Sequence, residues 1–350
     1  MADRIVGMTS TLMFSILTDR AFQIGRRGKL PLFESAFNAP NINWTRAADP
    51  DWLIEPLREK ANPNNYNSTI KKKKKYYAVN TIDNIRLQDS FLRQDIVQIL
   101  GGADIETTML VSNRGKTIRI FENSNYIQKL ENMKLNPYTA FGCLVNYIIQ
   151  PKKEIFLPIY EQFEKITIPD PKILKISIQI RTGDQIWTGN TMSNEAALKH
   201  SESFFQCAEQ IESYVMNENL GKYNSVVWYL ASDSKILRQA AVEKYGEKVI
   251  TGLHSHIEHS AKEQSVCAHS SGSSDCGSVS DVGFHTAAAE WWLLGYAEYH
   301  VITLYSGYGR SGAYRTYTTD RIWSVDKSAN RCHKGGYSNL EEIMYDWAGI

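Results

Sequence analysis

Two patterns of hydrophobic and polar positions alternate along the second half of the chain. Nearly continuous apolar runs of strand length occupy Ile173–Ile180 and 225–231, and segments with helical spacing follow at 195–217 and 235–245. Buried parallel strands have such continuous apolar runs, and the helices between them supply the crossover connections. We therefore predict an α/β fold with a doubly wound parallel sheet, whose ligands bind at the carboxyl ends of the strands.

Weaker signals extend the pattern at both ends. Short strands are predicted at 248–251 and 300–304, with a helix at 286–297 and another opening at 312–317. In the first half, a helix is predicted over 5–24. Pro169 and Pro171 suggest a linker, so we place a boundary between domains 1–165 and 166–350.

Composition narrows the classes of partner. Lys and Arg total 39 and Asp and Glu total 38, a balance that predicts no nucleic-acid partner. Without an apolar run of about 18 residues, a membrane anchor is expected only outside this chain. Cys143 lies in an apolar run and is expected to be buried. Cys267 and Cys276 flank a Ser/Gly-rich loop. They form a disulfide in an oxidising compartment, or else they are two free thiols.

The first predicted strand delivers an arginine into a polar loop, in the order Gln179-Ile180-Arg181-Thr182-Gly183-Asp184. The planar guanidinium group can bind phosphate oxygens through two parallel hydrogen bonds. Gly183 would allow the backbone to approach a ligand closely. The structural alternative is an ion pair between Arg181 and Asp184.

Two further strand ends carry short polar residues. Ser232-Asp233-Ser234 follows the second strand, where Asp233 either binds a nucleobase or ribose or caps the next helix. Ser306-Gly307-Tyr308 follows the strand predicted at 300–304. A Gly/Ser-rich turn there places main-chain N–H groups at an anion, or is only a tight turn.

Taken in order, Gln-Ile-Arg-Thr-Gly-Asp, Ala-Ser-Asp-Ser, Glu290-Trp-Trp-Leu-Leu and Ser-Gly-Tyr resemble motifs of the fucosyltransferase superfamily. The segment from Asp3-Arg4 to Met8 resembles the start of the family's catalytic domain, and the ending at 337–350 resembles the close of such a domain, most closely that of the plant xyloglucan type. The resemblance implies a GT-B fold, with two Rossmann-like domains facing a cleft. It also implies an acceptor-side domain over 1–165 and a nucleotide-sugar domain over 166–350. The implied reaction is inverting transfer of fucose from GDP-fucose to a glycan or glycoprotein in the Golgi or endoplasmic reticulum.

The resemblance also assigns roles to the strand-end residues. Arg181 would bind the β-phosphate of GDP-fucose and stabilise the charge on the leaving GDP. The remaining substrate-binding residues would be Gln179, Gly183 and Asp184, then Ser232 and Asp233 on the guanosine side, then Ser306, Gly307 and Tyr308 on the pyrophosphate. No separate cofactor is implied. We expect a metal-independent reaction, because these strand ends contain no Asp-x-Asp triplet.

Several alternatives stay open at this level. Relatives commonly have His where this chain has Gln179, and only Met1-Ala2 precedes Asp3 in place of a Gly-rich loop. Both departures favour a catalytically inactive module that binds glycan or nucleotide. A cluster of His and Cys at 254–269 has no firm metal-ligand spacing, so we expect a polar loop. The catalytic base is undecided between Glu290, Asp281, His285 and Asp184.

Overall fold

The computed structural model describes residues 1–24, 32–45, 76–80, 85–112, 115–182, 193–253, 281–317, 320–326 and 331–334. Within these ranges the strands are β1 (Phe37–Asn38), β2 (Tyr76–Asn80), β3 (Thr107–Val111), β4 (Gln150–Pro151), β5 (Ile173–Ile180), β6 (Ser225–Ser232), β7 (Val249–Ile250), β8 (Tyr299–Thr303), β9 (Ile322–Asp326) and β10 (Arg331–Lys334).

The α-helices of the same ranges are α1 (Ala2–Leu17), α2 (Phe33–Ala36), α3 (Ile85–Arg93), α4 (Ile96–Ile99), α5 (Ile127–Asn132), α6 (Ala140–Ile148), α7 (Tyr160–Thr167), α8 (Asn194–His200), α9 (Glu202–Glu218), α10 (Lys235–Tyr245), α11 (Asp281–Leu294) and α12 (Gly307–Tyr314). Short 3-10 helices occupy Arg119–Glu122, Lys153–Ile159 and Gly246–Lys248. None of the helices in the described part of the chain combines the length and apolar character that a membrane span requires.

The described residues divide into two compact units. Residues 2–148 apart from 32–38 form an N-terminal unit, and 32–38 with 149–334 form a C-terminal unit. The change of unit at Ile148 lies ahead of the boundary predicted at 165, because residues 149–165 pack on α11. The segment predicted to be a linker is hydrogen-bonded to β5, because Lys175 Nζ donates to the carbonyls of Ile166 and Ile168 at 2.8 and 2.7 Å.

The N-terminal unit is built around α1, which packs against α6, and around the parallel pair β2–β3. Phe14 of α1 stacks on Phe91 of α3, with ring centroids 4.6 Å apart. The predicted helix over 5–24 ends early, at Leu17. Cys143 is exposed, so the prediction that it is buried is wrong. Its position on α6 lies outside the apolar stripe that includes Phe141, Leu144 and Val145.

The C-terminal unit contains a six-stranded sheet in the order β10-β9-β8-β5-β6-β7. All neighbours are parallel except β10, which pairs with β9 in the antiparallel sense. Numbered from β5, the five parallel strands lie in the order 3-2-1-4-5. This confirms the doubly wound topology predicted from sequence, with its switch point between β5 and β8.

The core of this sheet follows directly from the apolar runs. Leu174, Ile176, Ile178 and Ile180 of β5 are completely buried, because helices cover both faces of a parallel sheet. Helix α9 packs on β5 and β8, and α11 packs on β5 and β6.

Two helix predictions need correction. The helix predicted over 195–217 is broken at the buried Ser201, which separates α8 from α9. The last helix begins at Gly307 instead of 312, because Ser306 caps it and the Gly-rich segment continues into the helix. There Gly312 lies against Leu294 of α11, where a Cβ atom would come within 2.9 Å.

A disulfide joins Cys207 of α9 to Cys332 of β10, with Cα atoms 5.6 Å apart. Sequence reasoning considered pairing only for Cys267 and Cys276, which lie outside the described residues. The bond links the sheet's edge strand to a helix that packs on its face.

Candidate functional site

The candidate site lies at the switch point of the doubly wound sheet. There the chain leaves the carboxyl ends of β5 and β8 toward crossovers on opposite sides, which opens a crevice for ligands in folds of this type. The predicted residues Arg181 and Ser306 follow these two neighbouring strands, and Asp233 follows β6 on the other side of β5. The topology therefore brings together the three strand ends that the sequence singled out.

A threonine hydroxyl ties the ends of β5 and β8 together. Thr303 Oγ1 accepts a hydrogen bond from Arg181 N at 2.9 Å and donates one to Gln179 O at 3.1 Å. The main chain on both sides of Ile180 is thereby fixed to β8. The Arg181 side chain is exposed at this edge, which is the presentation that a phosphate-binding arginine requires.

Asp233 holds Thr182, the residue that follows Arg181. Its Oδ1 atom accepts hydrogen bonds from Thr182 N at 2.7 Å and from Thr182 Oγ1 at 2.6 Å. The helix cap that was the alternative role for Asp233 falls to Ser234, whose Oγ accepts from Leu237 N at 3.2 Å. Asp233 therefore fixes Thr182, the residue next to Arg181.

The third strand end forms the N-terminus of α12. Ser306 Oγ accepts a hydrogen bond from Gly309 N at 3.3 Å, and Tyr305 reaches the cap through a φ of 63°. The unpaired N–H groups of a helix N-terminus carry partial positive charge, which favours a bound anion. The tight-turn alternative is excluded, since Gly307 begins a helix of two turns.

Gln179 and Gly309 meet beside this helix terminus. Gln179 is buried, and its Oε1 atom lies 3.4 Å from Thr303 N. A Cβ atom at position 309 would lie 2.3 Å from the same Oε1, a distance that real atoms do not adopt. A side chain at position 309 would therefore have to displace the Gln179 amide, which packs against the first turn of α12.

Tyr308 takes a different place from the one expected for a pyrophosphate ligand. Its hydroxyl donates to Ala287 O of α11 at 2.7 Å. Burial raises the pKa of Tyr308 well above its ordinary value, and the charge of Glu290 raises it further. Any contribution of Tyr308 to an anion at the N-terminus of α12 therefore comes from its main chain.

Sequence reasoning missed a buried ion pair behind the strand ends. Arg238 of α10 forms a two-point pair with Glu290 of α11, at 2.5 and 2.8 Å. The side chains are 1% and 7% exposed. Glu290 was one of the candidate bases, and this pairing gives it a structural partner instead. The signal in the sequence was the pair of charged residues inside two otherwise apolar helix faces, at 238 and 290.

Other predicted residues are only partly described. Gly183, Asp184 and the histidine-rich segment 254–269 lie outside the described residues. His285 Nε2 lies 3.1 Å from Ser35 Oγ of α2. Within the described ranges, no group of three or more His, Cys, Asp or Glu side chains is arranged to hold a metal ion. An Asp-x-Asp triplet does occur in the sequence at 49–51, which lies outside these ranges.

The arrangement of sheet and strand ends defines a fucosyltransferase-like fold. The structure is similar to that of Arabidopsis thaliana FUT1, solved as a variant in complex with GDP, with a TM-score of 0.65 and 14% identity over 95% of this chain and 71% of that one. It is also similar to NodZ, an α-1,6-fucosyltransferase from Bradyrhizobium soaked with GDP-fucose, with a TM-score of 0.50 and 14% identity over 93% and 92% of the two chains. No protein-family model and no curated protein sequence matches the chain.

Proposed function

We propose that this protein transfers fucose from GDP-fucose to a glycan or glycoprotein acceptor, by an inverting and metal-independent reaction. The observation that carries the proposal is the meeting of Arg181, the Asp233–Thr182 contact and the Ser306-capped helix at one switch point. Such a site offers a bidentate cation and a helix N-terminus to a diphosphate. Solved structures of similar fold hold GDP or were soaked with GDP-fucose, which supports the nucleotide class.

In the proposed reaction, the chain's own groups stabilise the leaving nucleotide. The Arg181 guanidinium would bind the β-phosphate, and the main-chain N–H groups of Gly307 and Tyr308, at the helix terminus that Ser306 caps, would face the pyrophosphate. Charge on the GDP oxygens grows as the bond to fucose breaks, so fixed donors stabilise the transition state more than the ground state. Ser232 and Asp233 would lie on the guanosine side, and Gln179, Gly183 and Asp184 beside the phosphates. A base accepts the proton of the acceptor hydroxyl as its oxygen bonds to fucose.

The domain roles and location belong to the same proposal. Residues 1–165 would bind the acceptor, and residues 166–350 would bind the nucleotide sugar. A Golgi or endoplasmic reticulum location is supported by the Cys207–Cys332 disulfide, because such bonds persist in oxidising compartments.

The test is GDP release from GDP-fucose in the presence of mixed glycan acceptors, with chelator added to examine metal independence. We expect acceptor-dependent release and GDP binding measurable by calorimetry. GDP binding without release under any acceptor would instead favour the nucleotide-binding module that the buried Gln179 suggests. Absence of GDP binding would refute both forms of the proposal.

A further inference from the structure

The ion pair between Arg238 and Glu290 connects more than the two helices that carry these residues. Arg238 Nε donates to Ser232 O at 2.8 Å and Nη1 to Gly252 O at 3.0 Å, while Nη2 also donates to Ser232 O. With the two bonds to Glu290, these contacts use all five N–H donors of the guanidinium group. One buried side chain therefore connects the end of β6, the segment after β7 and helix α11.

These contacts lie one residue from the candidate site. Ser232 directly precedes Asp233, whose Oδ1 atom holds Thr182, the residue next to Arg181. Ser232 Oγ also accepts from Ser234 N at 3.2 Å, so the whole end of β6 is fixed by short-range bonds. A displacement of the Ser232 carbonyl would move the Asp233 carboxylate away from Thr182.

We propose that Arg238 and Glu290 are a positioning pair, which fixes the end of β6 so that Asp233 holds Thr182, and with it the neighbouring Arg181, in nucleotide-binding geometry. The nucleotide-binding part of this inference rests on the proposed function. A buried guanidinium requires a matched anion, and Glu290 supplies it from α11. The pair itself touches no substrate and acts through Ser232 and Asp233.

Arg238→Lys separates charge from geometry. An ammonium group keeps the positive charge but cannot serve the two Glu290 oxygens and both carbonyls in the fixed guanidinium plane. Two readouts should change together: hydrogen exchange at the Thr182 amide should become about tenfold faster, and the Kd for GDP should rise about tenfold, which corresponds to about 1.4 kcal/mol. Glu290→Gln should move both readouts in the same direction, because it keeps the shape but leaves the guanidinium without its counter-charge.

The matched control is a second buried arginine of the same unit. Arg315 lies at the far end of α12, stacks over Trp292 at 3.9 Å and donates to Trp292 O at 2.5 Å. Arg315→Lys should lower the melting temperature, because it also disrupts a buried guanidinium. Exchange at Thr182 and GDP affinity of the folded protein should stay at the wild-type values.

The outcomes separate the two proposals. If Arg238→Lys and Glu290→Gln lower the melting temperature but leave Thr182 exchange and GDP affinity unchanged, as Arg315→Lys does, the pair is only structural and the inference is refuted. If the wild-type protein binds no GDP, the proposed function fails, and exchange at Thr182 alone still decides the positioning role. Should Arg238→Lys fail to fold, Glu290→Gln gives the same two readouts.

Discussion

Removing the Arg181 guanidinium is the most direct perturbation of the candidate site. The side chain is exposed, while its main-chain N–H is held by Thr303 Oγ1, so Arg181→Ala leaves the supporting hydrogen bond intact. Surface truncation of this kind changes the free energy of unfolding by about 0.5 kcal/mol or less. The loss of one fixed donor to a developing oxyanion costs about 2–4 kcal/mol of transition-state stabilisation. We therefore expect kcat/KM to fall about 30- to 900-fold with a nearly constant melting temperature.

Arg181→Lys tests whether charge alone is sufficient. A single ammonium group cannot reproduce the two parallel hydrogen bonds of guanidinium to phosphate, so activity should not return. Two variants of Thr303 test the hydrogen bond that holds the main chain of Arg181. Thr303→Ser keeps the hydroxyl that accepts from Arg181 N, and Thr303→Val removes it. Activity should survive the first change and fall in the second, without any change in charge.

The assays are GDP release kinetics and GDP calorimetry, measured beside thermal melts of each variant. A folded Arg181→Ala protein with wild-type affinity for GDP would refute the phosphate-binding role. A large fall in melting temperature with GDP affinity intact would identify Arg181 as a structural residue instead.

Three further predictions concern stability. Replacing Cys207 and Cys332 together by Ala should lower the free energy of unfolding by about 4–5 kcal/mol, because the bond closes a loop of 125 residues. Urea titration under oxidising conditions measures the difference, and equal stability of both proteins would contradict the prediction. His300 is buried with its pKa lowered to about 3 by burial and then by nearby arginines, so only the unfolded state takes up its proton between pH 6.5 and 3. Stability should therefore fall by about 1.4 kcal/mol per pH unit below pH 6.5, and His300→Asn should flatten that profile in melts. Gly309→Ala should cost about 1–3 kcal/mol by overpacking against Gln179, and Gln179→Ala in the same chain should recover part of it in a double-mutant cycle; additive losses would refute the contact.

Much of the doubly wound sheet was predictable because its strands are buried on both faces. The continuous apolar runs of β5 and β6 locate both strands to within a residue, and the polar residues after them mark the site. The start of α12 was misplaced because a Gly/Ser-rich stretch has low helix propensity, which Ser306 capping and close packing at Gly312 overcome.

Contacts between residues that are far apart in sequence could not be predicted, because the local pattern does not encode them. Nothing near Cys207 in sequence indicates Cys332 as its partner, because the two meet only once the sheet has formed. The contact between Asp233 and Thr182 likewise spans 51 positions, and the pairing of Arg238 with Glu290 spans 52. These bonds depend on the order of strands, which periodicity does not specify.

The Cys207–Cys332 bond also protects the β10 edge of the sheet. β10 is the outermost strand beside β9, and a strand at an edge offers free N–H and C=O groups to any other extended chain. Anchoring Cys332 to α9 keeps β10 in register beside β9, so that the main-chain N–H and C=O groups on that side of β9 stay paired. Reduction would release β10 and leave β9 as a template for intermolecular strand pairing. The bond therefore guards the protein against self-association as well as against unfolding.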